Sequence, residues 1–187
     1  MRTGRLLLRP FEEADLVPFA ALNIHPSVVE FLGSSPTRAE SDAMVERFSA
    51  ELEGEGWGLW AIEVAGGPAF VGMCGLHAAP RALACAPAVE VGWRLHPDHW
   101  GNGYATEAGA ASIRHGFDTA ALPEIVSFTA VANLRSQAVM ARLGLRRDPD
   151  ADFDHPNLPE GSPLRAHVLY RISRDEWVTQ RQHGSGD

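Results

Sequence analysis

The stretch from Val91 to Ala108 restricts the fold more than any other part of the chain. Residues 88–95 set Val89, Val91, Trp93 and Leu95 in alternation with Glu90, Gly92 and Arg94, the two-residue period of a strand. His96, Pro97, Asp98, His99 and Trp100 break that period. Residues 104–117 then place Ala108, Ala111 and Ile113 among the apolar positions of a helix. Between strand and helix stand Gly101 and Gly103, which let a backbone approach a phosphate closely. The first amides of a helix have no intrahelical acceptor and lie at the positive end of its dipole, so such a junction suits an anion. It is not a dinucleotide fingerprint, because Thr106 stands where the third glycine belongs, and no Gly-Lys-Ser/Thr of a P-loop is present. Taken alone, the same turn also serves as an ordinary strand-to-helix connection.

The flanking sequence supplies a mixed set of elements. Leu6 and Leu8 mark a first strand before Pro10, and residues 11–22 read as a helix with Glu12, Glu13 and Asp15 in its first turn. Residues 26–32 read as a short helical piece ended by Gly33. Thr37 and Glu40 form a capping box for a helix that buries Met44, Val45, Phe48 and Leu52 and stops at Gly54 and Gly56. Residues 59–64 and 70–76 flank Gly66, Gly67 and Pro68 as a hairpin, and residues 78–87 form a loop. A strand at 125–131, a helix at 135–143 stopped by Gly144, a loop at 148–163 and a strand at 166–172 follow. Ser173 and Glu176 make a second capping box for a short terminal helix, with a frayed tail from His183 to Asp187. This order predicts a mixed α/β sandwich in one domain spanning residues 1–182.

Composition narrows the class of function. Of the 187 residues, 45% are hydrophobic and 21% charged, which is the balance of a globular domain rather than a disordered chain. The net charge of −8 argues against a nucleic acid or an anionic membrane as partner, since both select a basic face. No apolar run approaches the roughly 20 residues of a membrane span, and the N-terminus lacks a signal-peptide cleavage site. Cys74 and Cys85 show no C-x-x-C spacing, which points to reduced thiols in a cytoplasmic setting. All 16 basic side chains are arginine.

The run from Trp100 through Gly101, Asn102, Gly103 and Tyr104 to Ala105 resembles the acetyl-CoA pyrophosphate loop of the GNAT superfamily of N-acetyltransferases. Glu90 to Leu95 is similar to its splayed central strand, and Asn133 to Ser136, continuing to Leu143, Gly144 and Leu145, is similar to its second motif. Arg5 to Pro10 and Trp57 to Trp60 resemble the branch related to ribosomal-protein alanine N-acetyltransferases, and the likeness extends over residues 3–177. It implies a GNAT fold of class α/β (α+β), with a mixed, mostly antiparallel twisted sheet splayed at the cofactor site and flanked by helices. It also implies transfer of an acetyl group from acetyl-CoA to a primary amine, a protein N-terminus or a small amine, in a ternary complex, with a homodimer as the common assembly.

Site residues follow from the same resemblance. Val91, Gly92, Trp93, Trp100, Gly101, Asn102, Gly103, Tyr104, Ala105, Thr106 and Asn133 would bind the cofactor, with amides near Val91 or Gly92 polarising the thioester carbonyl. A free alkylamine has a pKa near 10, so a base must take its proton, and Glu90 is the candidate. A salt bridge to an arginine is its competing use. The superfamily often places a tyrosine late in the second motif to protonate the thiolate; Met140 stands there, and Ser136 is the substitute stabiliser. Asn133 competes as a helix cap. Trp57 and Trp60 are candidates for an apolar acceptor wall or for the core, and Asp154, His155 and Glu160 for contact with the amine. With His167 these acids fit no known metal-ligand spacing, so no metal is expected. A non-catalytic acyl-CoA-binding sensor or assembly module on the same fold is the alternative.

Overall fold

A computed structural model describes residues 1–184. In chain order it contains β1 (Leu6–Arg9), α1 (Leu16–Asn23), α2 (Pro26–Val29), α3 (Arg38–Glu55), β2 (Leu59–Val64), β3 (Gly72–Ala78), β4 (Val89–Leu95), α4 (Tyr104–Asp118), β5 (Glu124–Ala130), α5 (Leu134–Arg142), β6 (Arg146–Arg147), β7 (Phe153–Asp154), β8 (Ala166–Ser173) and α6 (Arg174–Gly184). The sheet runs β1-β2-β3-β4-β5-β8-β6, with β7 also on β8. Every pairing is antiparallel except β4 with β5.

Strand alternation sorts the side chains onto two faces. Trp60, Cys74 and Trp93 lie opposite one another across β2, β3 and β4 and pack beneath α4 with Leu6, Leu8, Ile62 and Ala108. Val91, Ile125 and Ile172 continue this core toward Ile113, Phe117 and Met140. The other face puts Leu59 and Met73 against Phe19, Leu22, Val45 and Phe48 of α1 and α3. Phe11, Phe19, Phe48 and Phe70 form a ring cluster there, with Phe11 and Phe19 edge to face at 5.4 Å. Arg94 also points to this side. Its guanidinium donates to Asn23 Oδ1, Asn23 Nδ2 donates to Ser41 Oγ, and desolvation lowers the Arg94 pKa to about 10.

Several boundaries differ from the expectations. The helix expected from residue 11 begins at Leu16, after a 3-10 turn at Glu13–Asp15. The Asp15 carboxylate is drawn down onto the Arg9 guanidinium at 2.6 and 2.9 Å and also accepts the Glu12 amide, which shapes the chain ahead of the helix. Gly54 lies within α3; Gly56, at φ 73°, ends it. The strand expected from residue 70 starts at Gly72, where a Cβ would collide with the Arg94 carbonyl. The loop at 148–163 contains a 3-10 turn and β7. Helix α6 includes His183 and Gly184, where a frayed tail was expected; residues 185–187 lie outside the described residues.

Candidate functional site

The central strands open a seam. Glu90 opposite Val126 is the one register pair joining β4 to β5 among the described residues. Beside it the buried Ser127 hydroxyl donates to the Val91 carbonyl at 2.9 Å, which satisfies the last main-chain acceptor before the strands part. Gly92 to Leu95 on one side and Phe128 to Ala130 on the other then keep their outer ladders, to β3 and β8, without pairing to each other.

At the end of β4 the chain turns into the glycine loop. Gly101 and Gly103 both adopt φ 77°, the left-handed conformation that disfavours a side chain. Gly103 is the N-cap of α4, and no side chain caps that helix. The first-turn amides of Tyr104, Ala105 and Thr106 therefore remain available to an anion. Asn102 is occupied inside the loop, donating through Nδ2 to the carbonyls of His99 and Trp100 at 3.2 Å each. Trp100 donates through Nε1 to the Leu95 carbonyl at 2.8 Å, and its ring carries the Arg135 guanidinium at 4.8 Å. That stack links the loop after β4 to the helix after β5, across the seam.

A clamp from the N-terminal segment holds the loop. Arg5 donates through Nη1 to the Asn102 carbonyl at 3.0 Å and through Nε to Glu107 at 2.7 Å, with its guanidinium over the Tyr104 ring. Thr3 Oγ1 donates to Glu107 at 2.6 Å. Burial acts to raise the Glu107 carboxyl, but the hydrogen bonds from Thr3 and Arg5 outweigh it and hold that group below the usual range.

Helix α5 borders the seam on the β5 side. Asn133 Oδ1 accepts the Ser136 amide at 3.2 Å, and its Nδ2 donates to Thr129 Oγ1 at 3.0 Å. Asn133 thus acts as the helix cap and as a tether to β5. Ser136 lies half-buried in the first turn, whereas Met140 is 1% exposed in the core.

Glu90 sits at the opening on the face away from α4. His77 lies opposite it in the β3–β4 register, with Nε2 2.9 Å from Glu90 Oε2, and their side chains are 28% and 10% exposed. Burial acts to lower the His77 pKa, but the Glu90 charge and hydrogen bond prevail and raise it. No arginine takes Glu90, contrary to the competing use considered for it, among its described contacts. Farther along this face, Phe153 stacks on His167 with ring centres 5.6 Å apart, His155 and His167 lie 5.0 Å apart, and Phe128 meets Phe153 edge to face. Burial lowers the pKa of both histidines; the Glu90 charge partly offsets this at His155.

The acceptor candidates divide. His155 lies on the Glu90 face. Asp154 is exposed and paired with Arg165 at 3.1 Å, and Glu160 is exposed on a turn. Trp60 is 5% exposed, edge to face with His115 of α4, and Trp57 packs into the same cores, so both belong under α4 rather than beside Glu90. Strand parity is the reason: Trp60 shares the face of Cys74 and Trp93, opposite to Glu90. Sequence reasoning did not find His77, Ser127, the Arg5–Glu107 clamp or the Phe128–Phe153–His167 ring group. Only the β3–β4 register reveals His77. Among the described residues no group of three or more His, Cys, Asp or Glu could hold a metal ion, and no helix is long and apolar enough to cross a membrane.

A mostly antiparallel sheet, parted at its single parallel pair beside an uncapped helix with a glycine loop, is the frame of an acetyl-transfer enzyme. The model of the acetyltransferase (GNAT) domain matches residues 5–146, and the chain belongs to that family. It is an N-acetyltransferase. Its relatives include the FsC-acetyl coenzyme A-N(2)-transacetylase of Aspergillus fumigatus, 26% identical over 97% of this chain and 79% of that protein. An uncharacterised N-acetyltransferase of Bacillus subtilis is 25% identical over 79% of this chain and 83% of its own. Among solved structures, an acetyltransferase from Agrobacterium tumefaciens superposes with a TM-score of 0.74 at 28% identity, covering 92% of each chain. A GNAT-family acetyltransferase from Bacillus anthracis shares the fold with a TM-score of 0.77 at 23% identity, covering 94% of this chain and 98% of its own.

Proposed function

We propose that the protein transfers the acetyl group of acetyl-CoA to a primary amine by direct attack within a ternary complex, with Glu90 as the base. The observation that supports this best is the position of Glu90, on the last residue of β4 that still pairs with β5. The residues suit the donor. The Gly101–Gly103 turn and the free amides of Tyr104, Ala105 and Thr106 fit a diphosphate, and the unpaired edges of β4 and β5 fit an amide-bearing arm. The relative from Aspergillus fumigatus bears acetyl coenzyme A in its name, which supports the same donor here.

In this reading the seam aligns the thioester beside Glu90, and alignment alone contributes several kcal/mol. The amine nitrogen attacks the carbonyl carbon, a C–N bond forms and the C–S bond breaks. Glu90 accepts the proton lost by nitrogen, directly or through water. Ser136, half-buried in the first turn of α5, donates a hydrogen bond to the departing sulfur, and solvent supplies the proton that makes the thiol. Met140 contributes to packing alone. Cys74 is buried and its thiol pushed up to about 12, so it takes no part as a nucleophile and suits a reducing cytoplasm.

The test is thiol release with a panel of primary amines. Glu90→Gln is expected to lower turnover by roughly 10²–10³-fold at neutral pH, the range of general-base contributions. An unchanged rate and pH profile would remove Glu90 from the mechanism. Binding of coenzyme A with no thiol released for any amine would make the chain a binding module instead.

A further inference from the structure

The Glu90 face holds a second titratable group whose geometry is as specific as that of the carboxylate. His77 places Nε2 2.9 Å from Glu90 Oε2 and Nδ1 3.3 Å from the Ala78 carbonyl. Both ring nitrogens therefore face oxygens that accept, and the doubly protonated ring is the form that donates to both. Glu90 Oε1 turns toward Gly92: a Cβ at that position would stand 3.8 Å from Oε1 and 3.6 Å from His77 Nε2. Gly92 fills none of that space itself, and it follows directly on the point where β4 leaves β5.

Building on the reading of Glu90 as the base, we infer that His77 is its positioning residue, fixing Oε2 so that Oε1 faces the amine, with the charge of the ring deciding when the carboxylate can take part in transfer. While the ring is cationic, the carboxylate is engaged in an ion pair with it. When the ring releases its proton, that ion pair is lost, and a neutral Nε2–H still holds Oε2 while the carboxylate charge is left for the amine proton. Transfer then follows the neutral form of His77. Its titration lies above the ordinary histidine value, because Glu90 outweighs the effect of burial. Other titratable groups face the pair. Glu51 of α3 acts on His77 in the same direction as Glu90. His155 faces Glu90 from the loop before β8, with its pKa lowered by burial. Cys85, between β3 and β4, faces Glu90 and Arg171, with its thiol pushed up by burial and therefore neutral.

The experiment is the pH dependence of kcat at saturating amine for wild type, His77→Gln and His77→Ala. It is paired with an NMR titration of the His77 ring in wild type and Glu90→Gln. Glutamine keeps an N–H for Oε2 but does not titrate. Wild-type kcat should rise through a limb above pH ~6.5, the ordinary histidine value. His77→Gln should lose that limb while staying within about threefold of the wild-type plateau. His77→Ala should lose about tenfold in kcat with little change in KM for the donor, the signature of lost orientation. The His77 ring should titrate above pH ~6.5 in wild type and fall back toward that value in Glu90→Gln. A limb that survives in His77→Gln, or a ring that titrates at or below the ordinary value, overturns the inference while leaving the transferase reading intact. Absence of thiol release from wild type with every amine would instead strike the transferase reading, and this inference with it.

Discussion

Replacing Gly92 with alanine separates the chemistry of this site from its stability. The backbone at Gly92 has no positive φ, and the added methyl would meet His77 Nε2 at 3.6 Å and Glu90 Oε1 at 3.8 Å, ordinary contact distances. The fold should accept it. Removing a glycine from a strand stabilises by about 0.4–1 kcal/mol, mostly through the unfolded chain, which corresponds to roughly 1–4 °C in Tm for a domain of this size. Activity should move the other way. The methyl occupies the ground from which an amine nitrogen would hand its proton to Oε1, so the variant should forfeit most of what Glu90 contributes. If the base is worth roughly 10²–10³-fold, Gly92→Ala should cost about 10²-fold in kcat/KM, or ~2.7 kcal/mol of transition-state stabilisation. The loss should not exceed that of Glu90→Gln, and combining the two should add almost nothing, because both remove one interaction. Thiol-release kinetics and thermal melts on the three variants measure this. A Gly92→Ala enzyme with unaltered kcat/KM, or a double variant whose losses multiply, would refute the placement of the amine in front of Oε1.

Two further outcomes follow from the loop and the histidines. At φ 77° Gly103 is in a conformation that costs an alanine about 1–2 kcal/mol, so Gly103→Ala should lower Tm by roughly 2–8 °C and weaken coenzyme A binding about tenfold; undiminished affinity by calorimetry would count against the loop as the diphosphate seat. Burial lowers the pKa of His155 and His167, so the unfolded chain binds protons first as pH falls below ~6.5, and the contribution of these residues is lost from there down to their folded values. His77, whose pKa is raised, contributes fully below pH ~6.5 and loses that contribution as pH rises through its folded value. Urea midpoints between pH 5 and 8 should therefore fall less steeply on the acid side in a His155→Gln, His167→Gln double variant; the same acid slope in both proteins would contradict the burial argument.

Local signals placed the elements that depend on local chemistry. The alternation from Val89 to Leu95 locates β4 to within a residue, and the Thr37–Glu40 box places the start of α3 at Arg38. Ser173 and Glu176 do the same for α6, with the Ser173 amide donating to Glu176 at 2.9 Å. Features that depend on distant partners were not legible. Asp15 reads as an acid in a first turn until Arg9 is seen to take it. The strands β6 and β7 have two residues each, too few to show a period. The site shows the same division: Gly101 and Gly103 mark the loop by residue type alone. The face occupied by Trp60, however, depends on its alignment with Cys74 and Trp93. His77 lies beyond the strand as read from sequence, and its distance from Glu90 is a property of the hairpin register.

The unzipped interior of the sheet has a mechanical corollary. Main-chain donors and acceptors that line a cleft between two central strands are a vacancy in the ladder, and a ligand lying there as an extra strand knits the two halves of the sheet together. Occupancy and rigidity then become one equilibrium, in which saturation at a hundredfold above Kd adds about 2.7 kcal/mol of resistance to unfolding. The largest slowing of amide exchange should fall on the facing rims of that cleft, at residues 92–95 and 128–130.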